Sequence, residues 1–70
     1  MKTIRFYRAL AGDERGPYLG AAVLKPRGWR FIPGVSGRKT SRRVWPTWEA
    51  CVPRWVGYPD KCMSDRAVDA

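Results

Sequence analysis

The sequence predicts an α+β domain: a small antiparallel sheet of three to four strands, with one C-terminal helix packed on one face. Three observations predict it. Apolar and polar residues alternate early in the chain, turn-forming residues separate the alternating runs, and beyond residue 44 the alternation gives way to a stripe at helical spacing. The domain is expected over residues 1–57, with residues 58–70 a flexible C-terminal tail.

Residues 3–10 place Ile4, Phe6 and Leu10 on one side and Thr3, Arg5 and Tyr7 on the other, the pattern of a half-buried strand, with Arg8 breaking the inner row. Residues 11–17 collect Gly, Asp and Pro and hold no large apolar side chain, so they read as a loop between antiparallel strands. The second strand is expected over 18–25. There Leu19, Ala21 and Val23 share one face, and the small residues call for close cover by a large ring such as a Trp. Lys25-Pro26-Arg27-Gly28 has Pro at the second turn position and Gly at the fourth, the chemistry of a tight turn, so a third strand over 29–33 closes a hairpin. Trp29 and Phe31 alternate in it with Arg30 and Ile32, and Pro33 ends it.

Residues 34–43 are polar and basic, a long loop or a short edge strand. Trp45, Trp48, Val52 and Trp55 then recur every three or four residues along one helical stripe. Thr47 is the expected N-cap and Glu49 the first-turn carboxylate. Pro53 removes a backbone donor and clashes with the preceding turn, so two to three helical turns are expected to kink or end near Val52. The stripe is expected to meet Ile4, Phe6, Val23 and Phe31.

Composition bounds the chemistry. Leu, Ile, Val and Phe make up only thirteen of 70 residues, so four Trp and three Tyr must supply much of the core of a marginally stable domain. The chain has no histidine, which rules out Ser-His-Asp and Cys-His catalysis and the zinc sites that use imidazole. Cys51 and Cys62 are too few and too far apart for a metal or redox motif. They read as reduced thiols, Cys51 buried and Cys62 in the tail. No cofactor is implied, and an enzyme is not expected. No apolar run approaches the length of a membrane span and the opening residues lack a signal peptide's apolar stretch, so a soluble, cytoplasmic protein without membrane contact is expected.

The charge is uneven. Of a formal net +8, residues 25–43 carry seven cations, five of them Arg, and no carboxylate. Cations neutralise phosphates and release counterions, and Arg adds bidentate contacts and stacking, so Arg27, Arg30, Arg38, Lys39, Arg42 and Arg43 are the candidate nucleic-acid contacts. Arg5 and Tyr7 on the strand face opposite Ile4 and Phe6, interleaved with Arg30, extend this into a basic and aromatic surface. The competing reading of the cations is a solvated face that keeps a small protein in solution. The tryptophans are assigned to the core rather than to base stacking, because a chain this short needs its rings inside.

Gly28-Trp29-Arg30-Phe31-Ile32-Pro33, Ser41-Arg42-Arg43, Thr47-Trp48-Glu49-Ala50 and Pro53-Arg54-Trp55 together resemble short uncharacterised proteins of bacteria and their prophages, over about residues 28–57. The resemblance implies a small domain of phage origin and carries no activity. The order of elements is also similar to the small DNA-binding domains of phage integrases, in which a three-stranded sheet enters the major groove with a helix behind it. Charge and resemblance together lead to the expectation of a non-enzymatic module that binds DNA or RNA as a monomer or weak dimer. The alternative is a small modulator that binds an acidic host protein through the same basic face.

Overall fold

Alternation carries through the first strand. In the computed structural model, which describes residues 2–65, β1 (Thr3–Ala9) buries Ile4 and Phe6 on one side and turns Arg5 outwards. A short 3₁₀ turn (Ala11–Asp13) leads into β2 (Arg15–Lys25), longer at its start than the sequence suggests. A two-residue turn at Pro26-Arg27 joins it to β3 (Gly28–Pro33). The fourth strand, β4 (Cys62–Asp65), returns to pair with β1, so the all-antiparallel order is β3-β2-β1-β4.

That last pairing moves the domain boundary. Arg5 to Arg8 pair with Asp65 to Cys62, so the sheet extends to Asp65 where the sequence reading ends the domain at residue 57. Cys62 is buried, not part of a tail. Residues 66–70 of the expected tail lie outside the described residues.

A bulge in β2 decides which side chains reach which face. Phe6 pairs with Gly20 but Tyr7 pairs with Tyr18, which leaves Leu19 as the extra residue. Leu19 swings onto the core face beside Ala22, and Ala21 and Val23 fall on the other face, opposite Arg5 and Thr3. Val23 therefore does not meet the helical stripe; the bulge breaks the alternation that placed Leu19 and Val23 together. Gly20 sits at φ 153°, and a Cβ there would come within 2.5 Å of the Phe31 ring. At Gly20 the large ring that gives close cover is Phe31.

The helical layer is shorter than its stripe implies. Thr47 caps α1 (Trp48–Cys51), its Oγ1 accepting from the Ala50 N–H at 3.3 Å, but the helix lasts one turn rather than two or three. Val52 has already left helical geometry at ψ 121°, the conformation a following proline imposes. A 3₁₀ turn at Arg54–Val56 follows and ends at Gly57 in the left-handed conformation, whose N–H donates to Arg54 O at 3.0 Å.

The core lies between this layer and one face of the sheet: Ile4, Phe6, Leu19, Ala22 and Phe31 against Cys51, Val56 and Cys62. Phe6 is fully buried at its centre, with ring centroids 6.0 Å from Phe31, 6.0 Å from Trp48 and 5.6 Å from Tyr58. Trp55 meets Phe31 edge to face at 5.8 Å. The tryptophans close the rim, as a core with few aliphatic residues requires. Among the described residues no helix is long and apolar enough to cross a membrane.

Candidate nucleic-acid interface

The face of the sheet away from α1 carries Arg5, Tyr7 and Arg30. Across the strands the register sets Met63, Tyr7 and Tyr18 in one row, Asp65, Arg5, Ala21 and Ile32 in the next, and Thr3, Val23 and Arg30 in a third. Arg5, Tyr18 (41 % exposed) and Ile32 (38 %) reach solvent on this face, while the small residues between them, Ala21 and Val23, are buried beneath their neighbours; no helix lies over it.

Two tyrosines organise it. The Tyr7 and Tyr18 rings lie 5.5 Å apart, and the Arg15 guanidinium stands 4.4 Å from the Tyr7 centroid. Arg15 also approaches Asp65 at 3.8 Å, a partly exposed ion pair that orients the side chain more than it stabilises the fold. Burial raises the Tyr18 phenol above its ordinary value, opposed by the nearby Arg5 charge and reinforced by Tyr7. The phenol therefore stays neutral at physiological pH, a flat ring with no charge to repel a phosphate. Gly34 is pressed against that ring: a Cβ there would come within 2.4 Å of it, so the chain leaving β3 walls one side of Tyr18.

The basic loop does not lie on this surface as a whole. Arg30 Nε donates to Ser41 O at 2.8 Å, and the Arg43 N–H donates to Ser41 Oγ at 3.1 Å, which pins the loop along the outer edge of β3. Trp45 then exchanges both backbone hydrogen bonds with Trp29, at 2.7 and 2.8 Å, a single bridge rather than an edge strand. Arg38 turns to the helical side, 4.6 Å from the Trp55 centroid, and Arg43 stands 5.1 Å from that of Trp45. Lys39 lines a narrow crevice of about 110 Å³ there with Ser41, Pro53 and both of these tryptophans. Arg27 sits exposed at the hairpin tip, and Arg42 is exposed in the loop.

No family model matches the chain, and no curated protein or solved structure matches it either. The functional reading therefore rests on geometry and charge. The fold divides the eight expected contacts: Arg5, Tyr7 and Arg30 share the open face, Arg38, Lys39 and Arg43 fold towards the tryptophans, and Arg27 and Arg42 stand apart.

Sequence reasoning missed Arg15 and Tyr18. The signal that could have found Tyr18 is Gly20: a glycine inside an alternating strand marks a bulge, and a bulge there moves Tyr18 to the side of Tyr7. The thiols offer no reactive group. Burial pushes Cys51 up to about 11 and raises Cys62 as well, so both are protonated at neutral pH. Among the described residues no three His, Cys, Asp or Glu side chains gather as a metal site would need.

Proposed function

We propose that the chain is a nucleic-acid-binding module that takes a single strand across the open face of its sheet. The observation that supports this reading best is the pair of neighbouring tyrosines, Tyr7 and Tyr18, with Arg15 over Tyr7, Arg5 in the next row and Arg30 two rows along, on a sheet face that no helix covers. Rings of this kind offer stacking platforms to unpaired bases, and guanidinium groups around them meet the phosphates. Among the described residues Arg30 donates through Nε to Ser41 O, and the other N–H groups of its guanidinium are the donors offered to a phosphate in this reading. The net charge of +8 draws a polyanion to the surface without regard to sequence. The cations at Arg27, Lys39 and Arg42 extend the field beyond the sheet. No step of this reading needs a catalytic group or a cofactor.

The test is an equilibrium titration with 5′-hydroxyl single strands and duplexes at two salt concentrations. Single strands should bind more tightly than duplexes, because paired bases cannot stack on Tyr7 and Tyr18. Affinity should fall steeply with salt, and the slope should drop by about one in Arg5→Ala. Tyr18→Ala should weaken single-strand binding by roughly fivefold to a hundredfold, the worth of one stacked base. Absence of binding at low salt refutes the proposal. So does binding that Tyr18→Ala leaves untouched.

A further inference from the structure

On the other side of the sheet, where β1 ends, three cations surround a cleft of about 390 Å³. Arg8 enters from β1, Arg54 from the 3₁₀ turn and Lys61 from the turn before β4, while Trp55 and Tyr58 form its wall and Asp60 its rim. The volume falls within the range of small-molecule sites, about 300–1,000 Å³.

Backbone hydrogen bonds, not ion pairs, bring together the segments that carry these three cations. Gly57 N–H donates to Arg54 O at 3.0 Å, Lys61 N–H to Gly57 O at 2.7 Å, and Ala9 N–H to Lys61 O at 3.1 Å, which ties all three segments together around the cleft. Arg8 is fixed in register opposite Cys62, whose thiol feels its charge. Gly57, at φ 77°, leaves room for the Lys61 stem, which a Cβ at that position would meet at 2.9 Å. Among the described residues none of the three cations has an acidic partner within ion-pair distance. With Asp60 counted, the cleft carries two uncompensated positive charges.

We propose that this cleft binds a phosphomonoester carried on a flat ring, as in a nucleoside monophosphate. The phosphate lies among Arg8, Arg54 and Lys61, and the ring lies against Trp55 and Tyr58. A phosphomonoester above its second pKa, near 6, is a dianion, which matches the charge of the cleft. Guanidinium and ammonium donors give it short, charge-assisted hydrogen bonds, and the aromatic wall rewards a planar group that inorganic phosphate lacks. Asp60 on the rim accepts from a ribose hydroxyl or an exocyclic amine and opposes further phosphates. This assignment is independent of the tyrosine face, from which the sheet separates it.

The experiment is an NMR titration of the full chain with adenosine 5′-monophosphate, adenosine and inorganic phosphate, followed at the Trp55 indole N–H and the Gly57 amide. The monophosphate should shift both signals and saturate, with adenosine and phosphate each weaker by about tenfold or more. Arg54→Ala and Lys61→Ala, both exposed positions whose spectra report retained folding, should each weaken the monophosphate by about tenfold. Lys25→Ala, at the far end of β2, should leave it unchanged. A 5′-phosphorylated strand that shifts the same signals more tightly than its 5′-hydroxyl counterpart identifies a strand end as the source of the phosphate; equal binding of the two strands alongside saturable monophosphate identifies a free nucleotide. No saturation by the monophosphate, equal affinity for monophosphate and inorganic phosphate, or unchanged affinity in Arg54→Ala overturns the assignment. Because the tyrosine face is tested with 5′-hydroxyl strands and Tyr18→Ala, failure of one reading leaves the other standing.

Discussion

Gly20→Ala is the sharpest test of how the open face is made, because the bulge at Leu19 and Gly20 is what sends Tyr18 to the side of Tyr7. Two costs add at this position. Gly20 occupies φ 153°, where a side chain is strained by about 1–3 kcal/mol. The new Cβ would also lie 2.5 Å from the Phe31 ring and 2.7 Å from Ile32 O, and forcing a methyl into a filled core costs about 1–3 kcal/mol. The ring can shift, but the carbonyl belongs to the β2–β3 ladder and cannot move without breaking the pairing. The sum is about 2–6 kcal/mol, against a total stability of about 4–10 kcal/mol for a domain of this length. Gly37→Ala supplies the control. Its φ is 85° and nothing lies within 4 Å of its Cβ, so only the backbone term remains, about 1–2 kcal/mol. Urea denaturation followed by Trp fluorescence measures both, and a cost of 2 kcal/mol should also lower the melting temperature by roughly 8–16 °C. If Gly20→Ala costs no more than Gly37→Ala, β2 has no bulge there and the assignment of Tyr18 to the open face fails.

Cys51 should make the fold sensitive to alkali. Its folded-state thiol ionises near 11 because of burial, against 9.0 for an unperturbed thiol, so the unfolded chain loses its proton first and stability should fall as pH rises between about 9 and 11. Thermal melts across that range, compared with Cys51→Ala, check the sign. Thr47→Ala removes the side-chain cap on the Ala50 N–H and should cost about 1 kcal/mol in urea denaturation. Val56→Ala should cost about 0.5–2 kcal/mol more than Val52→Ala, because Val56 is fully buried and Val52 only partly. A chain ended at Asp60 should lose β4, uncover the edge of β1 and unfold at markedly lower urea than the full chain, whereas a domain complete at residue 57 would be unaffected.

What the sequence disclosed was local. The alternation of Ile4 and Phe6 against Arg5, the Pro26-Arg27 turn, the Thr47 cap and the stop at Pro53 each depend on residues a few positions apart, and each appears where its local chemistry puts it. β4 was not legible because Cys62-Met63-Ser64-Asp65 contains no β-branched or aromatic residue. It becomes a strand through its distant partner β1, which already offers Arg5 to Arg8 as a template. The helix was overread because a stripe of tryptophans fits any path that keeps them on one side. A single turn, an extended Val52 and a 3₁₀ turn achieve this as well as a longer helix does. The candidate site was legible where a strand displays it, at Arg5, Tyr7 and Arg30. It was not legible at Tyr18, because one extra residue in β2 reverses the face of every side chain beyond it.

The basic loop shows why charge in a sequence does not map directly onto a binding surface. Arg38 and Arg43 lie over Trp55 and Trp45, rings that close the rim of a core short of aliphatic residues. A guanidinium over an indole contributes about 0.5–1 kcal/mol at exposed sites, and its stem covers apolar surface that would otherwise face water. Arg38 thus covers a ring of the helical layer and Arg43 a ring bridged to the edge of β3, whatever they also do for a ligand. Replacing either with Ala should lower both stability and nucleic-acid affinity, and the second effect cannot be read without the first. Arg42 has no ring beneath it among the described residues, so Arg42→Ala isolates the electrostatic contribution. It should leave the urea midpoint in place and reduce the salt slope of binding by less than Arg5→Ala does, because Arg5 stands on the tyrosine face and Arg42 beyond the edge of the sheet.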